Sequence, residues 1–134
     1  MHVSTRGEPT LEVAIVSRND QTLEALRSYL RAADVRVRAI DDIGLCGRAV
    51  SNGASAFVIF PDDYRWESVV AAIADLDETH PDALPLLVTA QPKRFSALVN
   101  PERVLVIARP AWGWTILDAI RAHVETMKGA SLER

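Results

Sequence analysis

The residues with chemistry to offer stand at the ends of five short apolar runs: Val13 to Val16, Val35 to Ile40, Ala56 to Phe60, Leu84 to Val88 and Val104 to Ala108. Ser17-Arg18 follows the first run, Phe60-Pro61-Asp62-Asp63 closes the third, Thr89-Ala90 follows the fourth and Arg109-Pro110 the fifth. Hydroxyls, carboxylates and two guanidiniums brought together would make an ion-pair network or an anion site. If Arg18 and Arg109 approach one another, they recruit a carboxylate such as Asp20, Asp62 or Asp63, or they accept a small anion. The internal pair is the expected outcome, because structural ion pairs outnumber functional anion sites.

Other chemistries find less support. His2, His80 and His123 are scattered, with no acid or serine spaced for a triad and no partner ligands for a metal, so each is expected at the surface. Cys46 is the only cysteine, which excludes an internal disulfide and a thiolate cluster within one chain; packing is its expected role. Ser17-Arg18-Asn19-Asp20 contains no glycine, which argues against a phosphate-cradling loop after the first strand. No nucleophile with its base can be assembled from these strand ends, so neither an enzyme nor a cofactor is expected.

The apolar runs must position these residues. Their length and content of Val, Ile, Leu and Phe suit strands buried on both faces of a parallel sheet. Only Val35 to Ile40 alternates, through Arg36 and Arg38, which predicts an edge strand. Helical stripes lie between the runs. Leu23, Leu26, Leu30 and Ala33 share one face, with Asn19 or Asp20 as cap. Ile43, Cys46, Ala49 and Val50 make a weaker second stripe, loosened by Gly44 and Gly47. Trp66, Val69, Val70, Ile73 and Leu76 form a third behind Asp62 or Asp63 as cap, Phe95, Leu98 and Val99 a short fourth, and Trp114, Leu117, Ile120, Val124 and Met127 a long last one. Five β-α units with short links predict an α/β three-layer sandwich with strand order 2-1-3-4-5, like flavodoxin. One domain over residues 11–128 is expected, with loose ends at 1–10 and 129–134.

Composition agrees. With 134 residues, 49% hydrophobic and 25% charged, the chain can bury a core of its own. A net charge of −3 and dispersed basic residues give no field for a polyanion, so nucleic acid is not an expected partner. The polar stretch Met1 to Thr10 lacks a secretory apolar core, and no run approaches the ~20 residues that span a bilayer. A cytoplasmic location without membrane contact is expected.

Length, element order and strand-end residues resemble the receiver domain of bacterial two-component response regulators, over about Leu11 to Lys128. Leu87-Val88-Thr89-Ala90 and Arg109-Pro110 carry the likeness: the family ends its fourth strand in Thr or Ser plus a small residue, and its fifth in Lys-Pro. The resemblance implies a flavodoxin-like fold, a cis Arg109-Pro110 bond, and a Thr89 that would bond a phosphoryl group. It also implies an acidic pair after the first strand and a phospho-accepting aspartate after the third. Here those positions hold Ser17, Arg18 and Phe60. Phenylalanine cannot attack phosphorus, and an arginine in the acidic pair disfavours Mg²⁺, so no Mg²⁺ is expected. Asp62 could serve as acceptor only if the third strand ran two residues further, with Pro61 lacking the amide hydrogen that a central strand needs.

The expectation is a degenerate, phosphorylation-independent receiver (a pseudo-receiver) whose pocket is Ser17, Arg18, Phe60, Thr89, Arg109 and Pro110, and which works by binding protein. A small-anion or nucleotide sensor is the alternative, and a receiver phosphorylated on Asp62 a third reading. The family commonly docks partners or dimerises through its fourth helix, fifth strand and fifth helix. Phe95, Trp112 and Trp114 are the candidate surface there, since tryptophan is enriched among interface anchors, although both indoles could instead pack against the sheet. Lys93 and Arg94 beside them read as a solvated pair.

Overall fold

The computed structural model of the chain describes residues 11–48 and 54–132. Strands β1 (Glu12–Val16), β2 (Arg36–Ile40), β3 (Ala56–Ile59), β4 (Leu84–Thr89) and β5 (Leu105–Ala108) form one parallel sheet in the order β2-β1-β3-β4-β5. Helices α1 (Asp20–Ala32), α2 (Trp66–Thr79), α3 (Pro92–Leu98) and α4 (Gly113–Leu132) cover it. Fold class and strand order are those the apolar runs predict.

Alternation along the strands builds two cores. Val13, Ile15, Ala56, Val58, Leu86 and Val88 meet Leu26 and Leu30 of α1 and Ile116, Leu117 and Ile120 of α4 on one face. Ala14, Val16, Phe57, Ile59 and Leu87 meet Val69, Ile73 and Leu76 of α2 and Phe95 of α3 on the other. Each large side chain so buried contributes about 1.5–3 kcal/mol. The central strands are sealed on both faces, as their apolar runs require. β2 is the wet edge that Arg36 and Arg38 predict. β5 is the opposite edge, as the predicted order requires, but it is less buried than its apolar run suggests, with Leu105 39% exposed.

Asn19 caps α1, accepting a hydrogen bond from the Thr22 N–H (3.0 Å). The expected second helix is, in its described part, a single 3₁₀ turn at Ile43–Leu45, while Ala49 and Val50 lie outside the described residues. Gly47 crosses close to α2, and a Cβ there would stand 2.5 Å from Asp75 Oδ2. The expected fourth and fifth helices are therefore α3 and α4.

Two other expectations need correction. His80 is buried: its Nε2 lies 2.9 Å from the Gly47 carbonyl and its ring packs on Phe57 at 5.0 Å, because it closes the end of α2 over the sheet. α4 continues through Leu132, past Lys128, so 129–132 extend the helix; residues 1–10 and 133–134 lie outside the described residues. Among the described residues no helix is long and apolar enough to cross a membrane.

Candidate functional site

The carboxyl ends of β1, β3, β4 and β5 converge, and the turn after β3 joins them. Pro61–Asp63 forms one 3₁₀ turn, so Asp62 and Asp63 do not cap α2; Arg65 takes that position without a side-chain bond. The proline fixes the start of this turn, and the two consecutive aspartates splay toward different strands.

Asp62 turns to β4 and β5. Its Oδ1 accepts from Thr89 Oγ1 at 2.5 Å, its Oδ2 accepts from the Ala90 N–H at 2.8 Å, and Arg109 Nη1 stands 3.6 Å from Oδ2. Thr89 is fully buried, and its oxygen also accepts from the Gln91 N–H at 3.0 Å. The Asp62 side chain is only 23% exposed, so these bonds form in partly desolvated surroundings. Asp63 turns to β1: its Oδ2 accepts from Ser17 Oγ at 2.6 Å and from the Arg18 N–H at 3.1 Å. Ser17, also fully buried, receives the Asn19 N–H at 3.0 Å. Two neighbouring carboxylates thus tie three strand ends together.

The two arginines do not share a pocket. Arg18 lies over the Tyr64 ring, 5.2 Å from its centroid, in a cleft of about 600 Å³ with Asp42, Asp63 and Asp75. Arg109 lines a separate cleft of about 410 Å³ with Tyr29, Phe60 and Pro110. The carboxylate that the arginines were expected to recruit is Asp62, and only Arg109 pairs with it. Tyr64 donates its hydroxyl to the Asp41 carbonyl at 2.8 Å. Burial, then the Asp63 charge, pushes its pKa up to about 12, with Arg18 opposing.

Phe60 is placed otherwise than the pocket expectation has it. Its ring is buried in the core beneath α1 and α4, on the same face as Val58, and Arg109 lies over it at 5.7 Å. Strand alternation sends position 60 into that core; the carboxylate of Asp62, two residues later, meets Thr89. Phe95 also leaves the candidate surface, since it is 4% exposed and packed under α3. Trp112 and Trp114 are 67% and 55% exposed, so neither packs inward as a core residue; the buried stripe of α4 is Ile116, Leu117 and Ile120. Lys93 and Arg94 are exposed, and the Arg109-Pro110 bond is cis.

The donor set does not fit the Mg²⁺ that receiver chemistry uses. The positions of the acidic pair offer a hydroxyl and a guanidinium, and Asp63, the carboxylate closest to them in the hydrogen-bond network, already accepts two bonds. Among the described residues no group of three His, Cys, Asp or Glu side chains could hold a metal ion.

Sequence reasoning found Ser17, Thr89 and Arg109 at the strand ends but missed the pairing of Asp63 with Ser17 and of Tyr64 with Arg18. The adjacent aspartates after Pro61 were the available signal; how a 3₁₀ turn aims them was not.

No protein-family model matches the sequence, and no curated protein matches it. Solved structures do match in shape. A response regulator receiver domain protein from Clostridium thermocellum superposes with a TM-score of 0.75 at 10% identity, covering 88% of this chain and 97% of its own. The signal receiver domain of an HD domain-containing protein from Pseudomonas fluorescens gives 0.72 at 16% identity, covering 90% and 99%. An adenylate cyclase structure from Rhodopirellula baltica gives 0.71 at 17% identity, covering 94% and 99%. The chain has the fold of response-regulator receiver domains.

Proposed function

We propose that this chain is a phosphorylation-independent receiver-like module, a pseudo-receiver that acts in signalling by binding another protein and catalyses nothing itself. The observation that carries this reading is the Asp62 carboxylate: it already holds the hydroxyl of Thr89, the N–H of Ala90 and the charge of Arg109. Thr89 is the residue that the receiver resemblance assigns to a phosphoryl group, and Arg109 stands where the family has lysine. Phe60, at the acceptor position, is buried among apolar side chains and has no nucleophilic atom. Asp62 is poorly placed to replace it, since its oxygens are engaged by the same donors that a transferred group would need.

The exposed indoles of Trp112 and Trp114 at the start of α4 supply the contact surface, in line with tryptophan's role as an interface anchor. The partner is another protein or a second copy of the chain, met through α3, β5 and α4, with the exposed edge of β5 adding Leu105. The small-anion sensor is the weaker reading, because its arginines line separate clefts and its threonine is occupied.

Incubation with acetyl phosphate and Mg²⁺, followed by intact-mass measurement, tests the central statement. An unchanged mass is expected, and a phosphoryl adduct defeats it. Partner recovery by the wild type and by Trp112→Ala tests the surface; equal recovery discards the indole anchor.

A further inference from the structure

The cleft of about 600 Å³ beside Arg18 opens between the turn after β2 and one side of α2, and its size suits a small molecule. After β2 the chain makes, in its described part, a single 3₁₀ turn instead of a helix, and Ser68 and Ala71 of α2 are too small to fill the space. Ile43 and Ala72, both buried, give the cleft an apolar floor. Charges of both signs line it without meeting. Asp62 and Asp63 are spent on internal donors, and Arg65 leans to Glu67 at 3.8 Å. Arg18 and Arg48 are left as cations, and Asp42 and Asp75 as anions. Among the described residues, neither guanidinium forms an ion pair with either carboxylate or with any other group. Each of three charges is held by its own surroundings instead. Arg18 lies over the Tyr64 ring at 5.2 Å, and that ring is fixed by its hydroxyl to the Asp41 carbonyl at 2.8 Å. Asp42 Oδ1 accepts the Gly44 N–H at 3.0 Å, and Asp75 stands on α2. Groups set in place beforehand lose less freedom when a ligand arrives.

This arrangement discriminates against a ligand of single charge. An anion drawn to the arginines meets Asp42 and Asp75, and a cation drawn to those carboxylates meets Arg18 and Arg48. A molecule carrying both charges satisfies both sets through charge-assisted hydrogen bonds. We propose that the cleft binds a small zwitterion, with its carboxylate on Arg18 and Arg48, its ammonium group on Asp42 and Asp75, and its methylene chain over Ile43 and Ala72. The site goes beyond the pseudo-receiver reading and does not depend on it, since it uses none of the bonds that hold Asp62 to Thr89, Ala90 and Arg109.

The test is titration of unbranched amino acids of growing charge separation, from glycine through γ-aminobutyrate to ε-aminocaproate, into the wild type. Nitrogen-proton correlation spectra follow the backbone amides of Arg18, Gly44 and Ser68. Acetate and butylamine, each with one charge, are titrated in parallel. At least one member of the series is expected to give saturable shifts at all three amides. Acetate and butylamine are expected to bind at least roughly tenfold more weakly, because each forfeits one set of charge-assisted contacts. Arg18→Gln and Asp75→Asn should each weaken the best member by a similar factor. Both side chains are exposed, so the variants keep the wild-type spectrum away from the cleft, and either one carries the comparison if the other does not fold. Absence of a saturable shift with every member overturns the proposal. Binding of acetate or butylamine as tight as that of the zwitterions does the same, since it assigns the cleft to a single charge. Equal affinity in wild type and variants also defeats it, because the binding then lies elsewhere.

Discussion

Replacing Asp62 and Thr89 singly and together measures the clasp that the site description rests on. In Asp62→Ala, the exposed Ala90 N–H finds water, and the half-exposed Arg109 pair at 3.6 Å contributes less than about 1 kcal/mol. The cost falls mainly on Thr89, whose fully buried hydroxyl loses a charge-assisted bond of 2.5 Å, worth roughly 1.5–3 kcal/mol. A net loss of about 2 kcal/mol follows. Thr89→Val keeps the shape and removes the same bond, together with the bond from the Gln91 N–H at 3.0 Å. The double variant therefore loses less than the sum, with a coupling of about 1–2 kcal/mol, as contacting residues in one network show. Urea denaturation of the four proteins gives the number. A coupling within about 0.3 kcal/mol of zero, the level of independent sites, refutes the clasp.

Three further outcomes follow from other parts of the fold. Gly113→Ala brings a Cβ to 2.7 Å from the Tyr29 ring and is expected to cost about 1 kcal/mol; in a Tyr29→Ala background the same change turns neutral or stabilising, and an equal cost in both contradicts the contact. Trp112→Ala, at a 67% exposed side chain, leaves stability within about 0.5 kcal/mol, so a larger loss by denaturation places that indole in the fold and not on a contact surface. Burial, with Asp75 nearby, raises the Cys46 thiol from 9.0 to about 11. The unfolded thiol ionises first, so stability is level below pH 9 and falls toward pH 11, by roughly 2 kcal/mol at ~1.4 per unit. Denaturation of Cys46→Ala through that window shows a shallower fall, and an equal fall in both proteins refutes the assignment.

Much of the fold was legible because burial writes itself into composition. Strands β1, β3 and β4 are sealed on both faces and are uniformly apolar, while Arg36 and Arg38 mark β2 as an edge. β5 read as buried because Val104 to Ala108 is equally apolar, although the predicted order already put it at the far edge, where it is only partly covered. The second helix failed for a local reason: Gly44 and Gly47 weaken it, and one 3₁₀ turn is what remains in the described part.

The site was half legible. Asp62 and Arg109 form an ion pair at the strand ends, but without the approach of Arg18 and Arg109 on which the expectation rested. Which carboxylate meets which hydroxyl depends on the geometry of Pro61–Asp63, which periodicity does not encode. Phe60, Phe95 and Trp114 illustrate the same limit. An aromatic next to a strand end or helix start can face core or solvent, and a shift of one or two positions decides which.

The central claim is that no transferable phosphoryl group enters this strand-end cluster. It is tested most directly by recording the amide resonances of Asp62, Thr89 and Ala90 in the wild type before and after acetyl phosphate with Mg²⁺. The account predicts spectra that superpose at all three positions. A new set of peaks there, growing with the phosphodonor and lost in Asp62→Ala, would contradict it.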